Sequence, residues 1–138
     1  MTKVKDCKKI VTGDKGWLLE IASDRDGFTE IKGQVYIITI NPGAVKGYHL
    51  HKGTDYYTTC IKGLVVHTVY DPEGKKTETL MGDSGFKTVY MSKGSAHALE
   101  NVGKEMAYVL MYRTVAWNPE VCEQVDILPE KIEEWYNK

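Results

Sequence analysis

The sequence predicts an all-β chain: one domain over residues 1–138, folded as an antiparallel barrel of two facing sheets with a short C-terminal helix. Three observations predict it. β-Branched and aromatic runs recur at strand length, turn residues separate them at short intervals, and helical periodicity shows only near the end. A chain of 138 residues can also bury a core large enough to fold without staples.

Trp17 to Ile21 reads as a strand or an edge segment. Gln34-Val35-Tyr36-Ile37-Ile38-Thr39-Ile40 is β-branched and aromatic, and stops at the turn signal Asn41-Pro42-Gly43. Lys46-Gly47-Tyr48-His49-Leu50-His51-Lys52 continues in strand-like sequence. Tyr56 to Ile61 ends at Lys62-Gly63, and Leu64 to Tyr70 is closed by Asp71-Pro72-Glu73-Gly74. Thr77 to Met81, Phe86 to Met91, His97 to Asn101 and Met106 to Thr114 supply the remaining strands, spaced as antiparallel hairpins. In Pro129 to Tyr136 the proline suits a first helical turn, and Ile132, Trp135 and Tyr136 share a face.

Composition removes several function classes. The net charge is -1, the isoelectric point is about 6.4 and the lysines are scattered, so no nucleic-acid surface is expected. Arginine occurs only as Arg25 and Arg113, each a candidate for two-pronged recognition. Cys7, Cys60 and Cys122 form no CxxC pair, which argues against a disulfide framework or a thiolate zinc site. The N-terminus has no apolar leader and no run approaches membrane length; a cytoplasmic protein without a membrane partner is expected.

Of the four histidines, His49, His51 and His97 sit in two strand-like stretches. His49 and His51 are two apart, so on a strand they face the same way. If the strands close into a barrel, these imidazoles and that of His97 can meet in one cavity. Two chemistries compete there. Three imidazoles plus a carboxylate suit zinc, iron, nickel or copper. A neutral imidazole in a partly dry cavity can instead act as a general base. The fourth ligand slot, counted back from Gly63, holds Tyr56, with Asp55 beside it. A neutral tyrosine is a poor ligand for a divalent ion, so the expectation is a site without metal. The alternative is a site of His49, His51, His97 and Asp55. His67, between Val65 and Val69, reads as a core histidine.

The spacing of these residues resembles the cupins. Gly43, His49, His51 and Gly63 match the first cupin motif, with Tyr56 in the glutamate slot; Gly94, His97 and Asn101 match the second, with Ser92 in place of the proline. Within that group the chain resembles dTDP-4-dehydrorhamnose 3,5-epimerase and its compact relatives, including dTDP-sugar 3,4-ketoisomerases. Lys46-Gly47-Tyr48-His49 is similar to their R-G-L-H, Gly94-Ser95-Ala96-His97-Ala98-Leu99 to their G-F-A-H-G-F, and Thr114 to Glu120 to a later conserved segment.

The resemblance implies a cupin jelly roll, a homodimer and an isomerase that needs no cofactor. Its substrate would be a nucleotide-diphosphate sugar, a dTDP-linked 4-keto-6-deoxy sugar above all. His49 would abstract the proton α to the ketone. His51 or His97 would steady the enolate or relay the proton, and Tyr112 or Tyr57 would donate one. Lys46 and Arg25 would meet the diphosphate. The family's acid tyrosine aligns with Met111, so an epimerase acting at one carbon, or a ketoisomerase, fits better than a double epimerase. The family's histidine is oriented by an aspartate far downstream, in a C-terminal region that this chain is expected to lack. A metal-dependent cupin and a non-catalytic sugar-binding cupin are the other readings. Trp17, Leu18, Leu19 and Ile21 offer apolar edge sequence that a second copy could cover.

Overall fold

Side-chain alternation decides where the interior lies. The computed structural model of the chain describes residues 3–28, 32–127 and 131. The described residues form β1 (Lys8–Val11), β2 (Trp17–Ser23), β3 (Gln34–Ile40), β4 (Val45–His51), β5 (Tyr56–Lys62), β6 (Leu64–Tyr70), β7 (Lys76–Gly82), β8 (Thr88–Met91), β9 (Ser95–Asn101), β10 (Ala107–Arg113) and β11 (Gln124–Asp126). One sheet has six strands in the order β1-β2-β3-β10-β5-β8, the other five in the order β11-β4-β9-β6-β7. All pairings are antiparallel. The expected all-β, two-sheet architecture is the one observed. The expected helix at Pro129–Tyr136 lies, apart from Lys131, outside the described residues.

Two strands were not legible in the sequence. β1 covers the flank of β2, so Trp17–Ser23 is not an edge. β11 has only three residues, Gln124, Val125 and Asp126, and pairs with Leu50 and the two histidines of β4.

The facing sides of the sheets bury Tyr36, Ile38 and Ile40 of β3, Cys60 of β5, Val65 of β6, Met81 of β7 and Leu99 of β9, together with Val109 and Met111 of β10. Each large side chain withdrawn from water contributes about 1.5–3 kcal/mol. The interior changes character along its length. Ile40, Val65 and Ala107 line one end, and Tyr56, His51, Ser95 and Arg113 the other, all buried. Asn101 clasps the apolar end: its side chain donates to the Ile40 and Glu105 carbonyls at 2.7 and 2.8 Å and accepts from Gly103 N–H at 2.9 Å. The motif's asparagine is thus a structural tie between sheets.

One irregularity matters for the site. Between Gly47 and His49 the β4–β9 register shifts, so Lys46 pairs with Leu99, Gly47 with Ala98, and His49 with His97. The extra residue, Tyr48, has φ +56°, a left-handed conformation that bulky residues rarely adopt. Gly47, at φ +113°, allows the close approach: a Cβ there would lie 2.7 Å from the His97 carbonyl oxygen. On a regular strand Lys46 and His49, three apart, would face opposite ways. The bulge puts both on the inner face.

Candidate active site

Four elements deliver the site. β4 supplies Lys46, His49 and His51, β9 His97, β6 His67, and β11 with its preceding loop supplies Glu123 and Asp126. His49 and His51 share the inner face as strand periodicity requires, and His97 stands opposite His49 in register. The structure therefore brings together the three histidines singled out in the sequence.

It also adds what the sequence hid. His49 Nδ1 donates to Asp126 Oδ1 at 2.7 Å. An orienting carboxylate, expected to be missing from this chain, is thus supplied by β11. With Nδ1 protonated toward Asp126, the Nε2 of His49 carries a bare lone pair, and no partner meets it among the described residues. Burial lowers the pKa of His49 against the opposing pull of Asp126, so the ring is a neutral base near neutrality.

Behind it runs a chain of rings. His51 Nδ1 lies 3.0 Å from Glu123, His51 Nε2 is 3.3 Å from His97 Nε2, and His97 Nδ1 is 3.0 Å from His67 Nε2. One set of tautomers satisfies every link: His67 donates to His97, His97 to His51, and His51 to Glu123. Only the Nδ1 lone pair of His67 is then left without a partner. His67 is a core histidine as expected, but it also terminates this line. Glu123 is in addition held by Arg113 at 3.2 Å. Burial works against its ionisation, yet the His51 hydrogen bond and the Arg113 guanidinium outweigh it, and its carboxyl sits below the usual range.

Tyr56, in the glutamate slot of the cupin motif, points inward. Its ring lies 4.6 Å from that of His51, the Arg113 guanidinium stands 5.4 Å above it, and its hydroxyl is 3.3 Å from that of Tyr36. Burial raises its pKa, so the phenol keeps its proton.

Four expected residues are placed away from the histidines. Tyr112 and Tyr57 lie on the outer face of their sheet, because Met111, Arg113, Tyr56 and Thr58 take the inward positions of β10 and β5. Tyr112 donates to the Lys32 carbonyl at 2.8 Å, and both rings join Tyr90 in an exposed row. Neither is at hand as an acid for the histidines. Asp55 faces away from them, accepting from Lys93 N–H at 2.7 Å, so it cannot complete a histidine metal site. Arg25 sits on an exposed turn and donates to the Trp117 carbonyl. With Arg113, Trp117 and Glu123 it lines a cleft of about 290 Å³ that adjoins the site through Glu123.

Among the described residues no group of three or more His, Cys, Asp or Glu is arranged to hold a metal ion. His51 and His97 alone have an Nε2 spacing, 3.3 Å, close to that of two imidazoles on one tetrahedral ion, about 3.4 Å.

The buried rings make stability depend on pH. Burial lowers His67 to about 4, and burial with the neighbouring rings holds His97 well below its usual 6.5. Below 6.5 the unfolded chain binds more protons than the folded one. The stability these groups contribute is complete above 6.5 and is lost as the pH falls below it, for His67 through about 4. Thermal melts are expected to be flat from 6.5 up to about 8, where Lys46 begins to titrate in the fold, and to fall below 6.5 by up to about 1.4 kcal/mol per pH unit for each histidine. A melting temperature independent of pH there would show that the rings are charged in the fold.

Comparison with known proteins places this geometry. A family model described as the polysaccharide biosynthesis C-terminal domain matches residues 12–125. The spore coat polysaccharide biosynthesis protein SpsL of Bacillus subtilis (strain 168) is 26% identical over 124 residues, 86% of this chain and 82% of SpsL. The capsular polysaccharide assembling protein CapF of Staphylococcus aureus shares the fold with a TM-score of 0.78 and 20% identity, over 90% of this chain but only 32% of CapF, so the chain spans about a third of that protein. A dTDP sugar isomerase from Desulfovibrio desulfuricans G20 has a TM-score of 0.65 at 13% identity, over 89% of this chain and 81% of its own. The cupin barrel expected from the motif is the fold of the chain. No helix among the described residues is long and apolar enough to cross a membrane.

Proposed function

Since the chain belongs to the polysaccharide biosynthesis C-terminal domain family, we propose that it is a sugar-biosynthesis isomerase, an epimerase or ketoisomerase acting on a nucleotide-linked 4-keto-6-deoxy sugar. The observation that carries this is the His49–Asp126 pair: an oriented neutral imidazole whose Nε2 is unbonded on the inner face of the barrel. In this reading Nε2 removes the proton α to the ketone, and the Asp126 carboxylate stabilises the imidazolium that forms. His51, backed by Glu123 and linked to His97, relays protons. Tyr56, neutral and inward, takes the donor's part in place of the outward-facing Tyr112 and Tyr57. Reprotonation at the same carbon from the other face inverts it; reprotonation of the enediol at the former carbonyl carbon moves the ketone.

The nucleotide named by the epimerase resemblance is dTDP, and Arg25 is kept as a contact for its diphosphate. A homodimer belongs to the same proposal; light scattering should give twice the 15.6 kDa chain mass, and a concentration-independent single-chain mass would refute it. Incubation of dTDP-4-keto-6-deoxyhexoses of several configurations in D2O, followed by NMR, tests the activity. Deuterium at one α-carbon is the expected result. Tight binding with no incorporation for any sugar would leave a binding module instead.

The His51–His97 spacing favours one second reading, a metal-dependent cupin. It requires near-stoichiometric iron, nickel or zinc in protein purified without a nickel column, and elemental analysis decides it.

A further inference from the structure

Lys46 is the one described lysine whose ammonium nitrogen is buried and has no hydrogen-bond partner. A buried, unpaired cation is costly, and folded proteins neutralise it, pair it or use it. The chain does not pair it. The Tyr48 bulge instead turns Lys46 to the inner face, on the strand that presents His49. Without that bulge the lysine would lie on the outer face with Leu50, turned away from the histidines. The groups sharing its face are His49 and His51 of β4 and His97 of β9. Among the described residues, the other charge that bears on it is that of Lys15, between β1 and β2. No carboxylate meets it among the described residues.

Such a donor is suited to an oxygen that becomes negative during reaction. Resting on the proposed α-proton chemistry, we propose that Lys46 is a catalytic residue that binds the substrate's ketone oxygen and holds the enolate oxygen formed when His49 takes the proton. This departs from the diphosphate role that the aligned arginine of the epimerases suggests. A diphosphate anchor gains from a planar, two-pronged guanidinium. Lys46 offers a single donor on the inner face, on the strand that carries the base. Preorganised donors aimed at developing charge, in a site closed to water, give large rate effects. Burial and the Lys15 charge bring its pKa down to about 8. The amine is thus still mostly protonated near neutrality, and its proton is more readily shared than that of an ordinary lysine.

The test is Lys46→Met, with Lys46→Arg beside it, assayed for α-proton exchange in D2O and by thermal melting. Lys46→Met should lower kcat by about 10²–10³-fold, the usual cost of removing one oxyanion donor, with KM changed only a few-fold. Its melting temperature should equal or exceed that of the wild type, because an unpaired buried charge is replaced by an apolar chain of similar shape. Lys46→Arg should not restore kcat, since the larger fork does not fit the donor's place. A rise in KM with kcat intact would return Lys46 to the diphosphate and overturn the proposal. So would a lower melting temperature with activity lost in proportion, which marks a structural role. If the wild type exchanges and only His49→Ala abolishes it, Lys46 falls and the isomerase stands. If the wild type exchanges no sugar, the isomerase falls and takes the enolate with it.

Discussion

His49→Ala is expected to slow α-proton exchange by about 10²–10⁴-fold, the usual cost of losing a positioned general base, while the nucleotide sugar still binds. The ring is cut away at the end of a strand whose backbone pairs on both sides, with β9 and with β11, so the barrel should persist. Single-turnover exchange followed by NMR, with nucleotide affinity measured by calorimetry, checks it. His51→Ala should cost less, since His51 acts behind the base through Glu123 and His97. Asp126→Asn should also cost less: Asp126 is 82% exposed on its side chain, and water can replace part of its hold on Nδ1. A metal centre would behave differently. His49→Ala, His51→Ala and His97→Ala would then fail together and lose the ion. Full exchange in His49→Ala would remove His49 from the mechanism.

Arg113→Met should be the most destabilising single change at the site. Arg113 and Glu123 pair at 3.2 Å with side chains only 5% and 11% exposed. Removing one partner of such a pair leaves the other as an uncompensated buried charge, which costs about 3–5 kcal/mol. For a domain of this size that lowers the melting temperature by on the order of 10–20 °C. The guanidinium also donates to the Val115 carbonyl and covers the Tyr56 ring, so those contacts go too. Arg113→Met combined with Glu123→Gln should recover part of the loss, because the stranded charge is gone. A double-mutant cycle measures this coupling. A loss under about 1 kcal/mol for Arg113→Met would show that water reaches Glu123 and that the pair behaves as a surface one.

Much of this chain could be read locally. Strand boundaries at Gln34–Ile40 and Leu64–Tyr70 follow from β-branched runs closed by turn residues. Placing His49 and His51 on one face needed only the two-residue period of a strand. The opposite facing of Tyr112 and Met111 was equally legible, and it is why Tyr112 fails as the acid. Tyr56 was found by counting, but its inward placement and its stacking on His51 were not.

What the sequence determined by itself was therefore the periodic part: the strands, their turns, the barrel class and the side on which each histidine falls. Those properties are set by backbone geometry within a few residues. The tertiary structure alone decided the partners. Asp126 reaches His49 across 77 positions, and Glu123 reaches His51 across 72, through β11, whose three residues carry no apolar signal of their own. Lys46 turns inward because β4 absorbs an extra residue at Tyr48, and that shift is fixed by pairing with β9. Long-range pairing and a bulge are chosen by the free energy of closing the whole barrel. No local propensity encodes them, so the groups that set the chemistry of the histidines became visible only once the sheets were joined.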